Sequence, residues 1–164
     1  MHNVRCGIVD KCVCLFKGRG ISLSFFLLPY AVRKKEIKKL DAALSKYVRK
    51  SNADENGFIS CFTCGAKKDW KYETDCGHFQ SRSKYSTRWL YEPEHGMVNV
   101  MPQCKKCNGF RGGEQHLYGR HLDEMFGEGT ADKILIMSNQ TRKFSTQEII
   151  EMREHFTQKF DELP

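Results

Sequence analysis

Apolar residues Ile37, Leu40, Leu44, Tyr47 and Val48 return at helical spacing through residues 33–50, with polar residues between them. The pattern predicts an amphipathic helix with one stripe turned to a core. Its other face is basic, with eight Lys/Arg against two acids between residues 33 and 50. The polar run at residues 51–57, SNADENG, ends it. Upstream, residues 21–32 form an apolar run, ISLSFFLLPYAV, that is too short to span a bilayer. The run has the length of a signal-peptide core and follows Lys11, Lys17 and Arg19. Cys12 and Cys14 precede it, however, and Val32 leads into RKKEIKK with no small-residue cleavage site. It is expected as a strand docked on the core, or as upstream translation foreign to the native protein, in preference to export or membrane insertion.

Past residue 57 the periods shorten. Phe58, Ile59 and Ser60 read as a short strand, and residues 70–74 as a second, with His78 close behind. Residues 97–101 alternate and read as the returning strand of a hairpin. Between them, residues 80–96 form a polar loop in which Arg82, Lys84 and Arg88 interleave with Tyr85, Trp89 and Tyr91. Such alternation suits phosphate contacts with base stacking, and it equally suits Trp89 and Leu90 pinning the loop to a core. Glycines 109, 112 and 113 delay a helix until about Glu114, and it runs to Gly127. Thr130 is expected to cap a helix from Ala131 to about Asn139. Ser145 and Glu148 make a capping box, Phe144 and Ile149 a hydrophobic staple, and Ile149, Met152, Phe156 and Phe160 one face of the last helix. The organisation is a segment at 1–32 of unassigned role, a basic helix at 33–52, a core at 58–127 and C-terminal helices at 128–164.

The charge balance changes the picture. Lys+Arg is 27 against 20 Asp+Glu, net +7, with a pI near 9.0. Such an excess favours a polyanion, most commonly nucleic acid. The 164 residues support one domain, or one small domain with helical extensions. Of the eight cysteines, Cys61 and Cys64 form one C-x-x-C pair and Cys104 and Cys107 another. That spacing belongs to metal sites rather than disulfide frameworks. Four thiolates in two pairs predict a closed tetrahedral zinc site, structural in role. Cys6, Cys12, Cys14 and Cys76 remain as spare thiols, which fits a reducing cytosol. Cys12 and Cys14 have only one residue between them and make no zinc half-site.

Between the knuckles lie Asp75-Cys76-Gly77-His78-Phe79, then Ser81-Arg82, then Asn99. The second knuckle reads Gln103-Cys104-Lys105-Lys106-Cys107-Asn108, with Gly112-Gly113 following. This order resembles the His-Asn-His nucleases. It is similar to the subset with two zinc knuckles that includes phage Holliday-junction endonuclease VII, and to the phage lambda NinG family, also called Rap. The resemblance covers roughly Lys35 to Leu163 and leaves residues 1–32 unexplained. It implies an α+β fold: a small zinc-stabilised ββα-metal core with flanking helices. It also implies a metal-dependent DNA endonuclease acting on branched recombination intermediates, cytoplasmic in a bacterial host if phage or prophage encoded.

The implied roles make chemical sense. His78, neutral near pH 7, takes a proton from water. Asn99 holds the catalytic loop or orients the imidazole. Mg²⁺ or Mn²⁺, with Asn108 as an oxygen ligand, bridges the scissile phosphate and the leaving oxygen. Arg82 or Arg111 clamps the phosphate, while Lys38 and Lys39 on the basic helix and Lys84 and Arg88 on the loop contact the backbone. One departure stands out. The position before the base is Gly77, where many of these enzymes carry an acidic or histidine ligand. Asp75 lies on the same strand face but about 6–7 Å away, within reach only if the strand bends. His116 and His121 are alternative ligands or plain polar-face residues. A dimer would suit symmetric cutting of two strands, although no interface signature is visible. The competing reading is a non-catalytic zinc-knuckle nucleic-acid-binding module with no need of His78.

Overall fold

The basic amphipathic segment is one long helix. The computed structural model describes the backbone of residues 24–164 and side chains from residue 30 onward; Cys6, Cys12, Cys14 and the rest of the first 23 positions lie outside the described residues. Helix α1 spans Ser24–Ser51 and buries Glu36, Leu40, Leu44 and Val48 one turn apart along a single stripe. The strand expected within residues 21–32 is not formed where the backbone is described: from Ser24 that stretch is the first part of α1. A short apolar run has no period that separates strand from buried helix, and here it continues the helix behind it.

Strands β1 (Phe58–Ser60) and β2 (Lys67–Asp69) pair antiparallel around the first knuckle. The strand expected at 70–74 begins later. Asp69 Oδ1 accepts from the backbone N–H of Lys71 and Tyr72, both at 2.8 Å, and turns the chain there. Strand β3 is therefore Thr74–His78, and it carries His78 at its end. The expected returning strand is split in two. Strands β4 (Tyr91–Glu92) and β5 (Met97–Val98) pair with each other, while β6 (Val100–Cys104) pairs with β3. The break between β5 and β6 is Asn99.

After β6 the chain makes a π-helical turn, Lys106–Phe110, then α2 (Gln115–Phe126), α3 (Thr130–Ser138) and α4 (Thr146–Asp161). Thr130 does not cap α3. Gly129 occupies the cap position, and Asp123 Oδ1 meets the N–H of Ala131 at 2.9 Å. The capping box of Ser145 and Glu148 is formed, and Phe144 and Ile149 are buried in the same cluster. The architecture is α+β, with two small cores. One joins α1, α4, Trp89 and Val100. The other places Tyr118, Leu122 and Ile134 against Phe62, Val98 and Met101. The β3–β6 pair brings residues to both. Among the described residues no helix is long and apolar enough to cross a membrane.

Candidate functional site

The two knuckles close on each other. The Sγ atoms of Cys61, Cys64, Cys104 and Cys107 lie within 4.8 Å of one another. The Cys64–Cys104 separation is 3.9 Å, against about 3.8 Å for the edge of a tetrahedron with zinc–sulfur bonds of about 2.3 Å. Backbone N–H groups already point at the sulfurs, Cys104 to Cys61 at 3.2 Å and Cys107 to Cys104 at 3.5 Å. Burial opposes ionisation of Cys61. The Thr63 hydroxyl and nearby N–H groups outweigh it and draw that thiol down to about 6. Burial, reinforced by the sulfurs of Cys104 and Cys64, pushes Cys107 up to about 12. Four crowded sulfurs ionise together only if a cation shares them, so the donor set fits a metal ion such as zinc.

His78 ends β3, half-buried, with Nδ1 3.3 Å from the Cys76 carbonyl and Nε2 3.2 Å from the Arg88 carbonyl. Burial lowers its pKa to about 4, with the nearby Arg82 charge acting in the same direction. The ring is therefore neutral at pH 7 and carries one proton. With that proton on Nε2, donated to Arg88, the Nδ1 lone pair is the basic position. Cys76, two residues back, is fully buried, and burial pushes its thiol up to about 12. That spare thiol is core packing.

The residues on either side of Arg88 are tied down by Asn99. Its side chain is completely buried and its hydrogen-bonding capacity is used on one loop: Oδ1 accepts from Gln80 N at 2.7 Å, and Nδ2 donates to Gln80 O at 3.1 Å and Thr87 O at 2.9 Å. Its backbone N–H donates to Leu90 O and its carbonyl accepts from Phe79 N. One residue thus ties both ends of residues 80–90 to the strand that opposes His78.

Asp75 and Asn108 meet. Asn108 Nδ2 donates to Asp75 Oδ2 at 3.1 Å, while β3 stays paired from Thr74 to His78. No strand bend is needed, because the knuckle exit brings Asn108 to Asp75. The pair offers a carboxylate and an amide carbonyl, hard oxygen donors of the kind a divalent cation that keeps most of its waters accepts. Among the described residues no further His, Cys, Asp or Glu joins them closely enough to make a group of three.

Gly77 has a structural reason. A Cβ there would collide with the Gln103 amide oxygen and lie 2.6 Å from its carbon. Gln103 is fully buried and its Nε2 donates to Gly113 O at 2.9 Å and Thr63 Oγ1 at 3.2 Å. The space a ligand side chain would take at 77 is filled from the partner strand. His121 does not join the site, since its Nδ1 faces the Phe62 carbonyl at 2.7 Å, and His116 is exposed on α2.

The cations divide. Arg88, expected on DNA, is instead clamped to Asp41 of α1 by Nε at 3.1 Å and Nη2 at 2.6 Å, and donates to Arg82 O. Trp89 Nε1 binds the same carboxylate at 2.7 Å and its ring is buried, with Tyr85 packed edge-on against it. The loop aromatics pin the loop to the core. Sequence reasoning overlooked Asp41; its only signal was an acid beside the apolar stripe of a lysine-rich helix. Lys38 and Arg82 are exposed and, among the described residues, form no ion pair. Lys39 bonds Glu36 at 2.7 Å, Lys84 reaches Asn139 at 3.2 Å, and Arg111 reaches Glu114 at 3.1 Å.

A sequence model of the family described as "Bacteriophage Lambda NinG protein" matches residues 30–164. No curated protein and no solved structure matches the chain. The family match runs from within α1 to the last residue and takes in the four cysteines, Asp75, His78, Asn99 and Asn108, so the chain belongs to the bacteriophage lambda NinG family.

Proposed function

We propose that this protein is a metal-dependent DNA endonuclease of phage recombination, cutting branched intermediates, with β3, β6 and α2 as a ββα-metal unit. The observation that carries the reading is the linkage from Asn99 through the 80–90 loop to the Arg88 carbonyl and on to His78. A general base needs it, because one ring nitrogen must be held as donor so that the other, here Nδ1 at 3.3 Å from the Cys76 carbonyl, keeps its lone pair.

In this account His78 Nδ1 takes the proton from the attacking water and the Arg88 carbonyl steadies the charge that forms on the ring. Arg82, exposed and close enough to depress the His78 pKa, meets the phosphate. Asp75 and Asn108 would hold Mg²⁺ or Mn²⁺, which when bound offsets charge on the phosphate and leaving oxygen. Lys38, Lys39, Lys84 and Arg111 contribute long-range attraction to DNA, while the knuckles hold Asn108 against β3.

The test is incubation of the purified protein with a four-way junction, a D-loop and plain duplex, with and without Mg²⁺ or Mn²⁺. Cutting of branched DNA only with the cation is expected. Binding with no cleavage under any divalent ion would leave a zinc-knuckle nucleic-acid-binding module instead.

A further inference from the structure

The π-helical turn that carries Asn108 ends in a ring with nothing packed on it. Phe110 is 91% exposed, while the next most exposed large hydrophobic side chain among the described residues, Tyr72, is at 66%. Single exposed apolar residues are ordinary, but this one has three unusual features. Its turn is closed and rigid: Arg111 N donates to Lys106 O at 3.1 Å and Gly113 N to Cys107 O at 2.9 Å. Gly112 and Gly113, at φ of 60° and 85°, make the reversal that ordinary side chains resist. The ring is thus presented on a turn anchored by the zinc ligand Cys107. Its surroundings are also cationic, with Lys105, Lys106 and Arg111 all exposed, the last paired with Glu114 at 3.1 Å. These three and Lys68 line a groove of about 550 Å³ along the second knuckle, with Tyr72 on its wall. Glu73, the one acid there, is bonded to Lys68 at 3.2 Å. Finally, Phe110 stands two residues from Asn108.

We propose that the second knuckle is a nucleic-acid contact in its own right, in which Lys105, Lys106 and Arg111 take the phosphate backbone and Phe110 stacks on an uncovered base face at a DNA branch point. This rests on the nuclease reading for its ligand and deepens it by naming what is recognised. An exposed ring beside cations suits single-stranded or branched nucleic acid, where phosphates and open base faces lie together. Within a continuous duplex every base face is covered by its neighbours. Only a branch, a gap or a free strand offers a face to a rigid ring. The recognition element would then lie on the same turn as Asn108, so seating the branch also seats the phosphate.

The experiment uses the full chain and a four-way junction carrying 2-aminopurine at the branch, in buffer without Mg²⁺ or Mn²⁺ so that no strand is cut. Binding is followed by anisotropy of a separate label, and base environment by 2-aminopurine fluorescence. Wild-type protein is expected to bind and to change the fluorescence. Phe110→Ala is expected to bind the junction about 10- to 100-fold more weakly, with no fluorescence change, unaltered zinc content, melting temperature and duplex affinity, and an unaltered salt slope. Phe110→Trp should restore binding. Lys105→Gln with Lys106→Gln should instead flatten the salt slope. If Phe110→Ala binds the junction as wild type does, or if wild type binds with no fluorescence change, the stacking proposal is wrong while the nuclease reading stands. If wild type binds no DNA at all, both fail.

Discussion

Asn108 donates its side-chain amide to the Asp75 carboxylate over 3.1 Å, joining the exit of the second knuckle to the start of β3. The amide carbonyl and a second carboxylate oxygen are left for a cation. Asp75→Ala and Asn108→Ala should each lower cleavage and should each recover partly at raised Mn²⁺, because a lost ligand weakens metal binding more than chemistry. Cleavage rate against metal concentration is the measurement. A defect that no metal concentration relieves would mark the contact as purely structural.

The four-sulfur site should carry about one zinc per chain by metal analysis. Cys104→Ser should lose it, and the chain around residues 61–113 should lose its fold, because binding and folding are coupled in segments with so little core. Chelation of wild-type protein should lower its melting temperature. A Cys104→Ser protein that keeps both zinc and melting temperature would contradict the assignment.

Asn99→Ala should be costly away from any metal. It strands Gln80 N, Gln80 O and Thr87 O, each formerly bonded to the side chain. Only the Thr87 O bond is buried, so the loss is about 1–3 kcal/mol for that group left unpaired, or about 2–12 °C in melting temperature. Cleavage should fall with it, since the loop also places the Arg88 carbonyl against His78. Asn99→Asp tests the same point, because it retains the acceptor for Gln80 N and loses both donors.

How much of this was legible in the sequence depended on range. The knuckles, the capping box at Ser145 and the apolar stripe of α1 are local patterns, and the structure shows the four sulfurs together, the cap formed and the stripe buried. What failed was set elsewhere in the chain. β3 begins at Thr74 rather than 70 because Asp69 turns the backbone there. The returning strand breaks at Asn99 because that residue's bonds go to a loop rather than a ladder. Arg88 and Asp41 are 47 positions apart, and no window contains both. Gly77 reads as a missing ligand until Gln103 is seen filling its place.

The pH dependence follows from His78, whose pKa falls from the ordinary 6.5 to about 4 through burial. As a base it should remain active well below pH 6.5, with the acid limb of kcat/KM breaking near 4. Stability has the same origin. The unfolded chain takes up this proton near 6.5 and the folded one only near 4, so the contribution is complete above 6.5 and is lost as pH falls from 6.5 to 4. The difference in unfolding free energy between wild type and His78→Ala, measured across that range, should shrink accordingly. A difference independent of pH would show that the folded histidine titrates normally.

Whether His78 is the general base of a nuclease is read from single-turnover cleavage of a labelled four-way junction by wild type and His78→Ala at saturating Mg²⁺. A loss of about 10²–10⁴-fold in rate is expected, with zinc content and junction affinity unchanged, because the imidazole bonds neither the four zinc-site cysteines nor Asn108. Cleavage by His78→Ala at the wild-type rate would contradict that role.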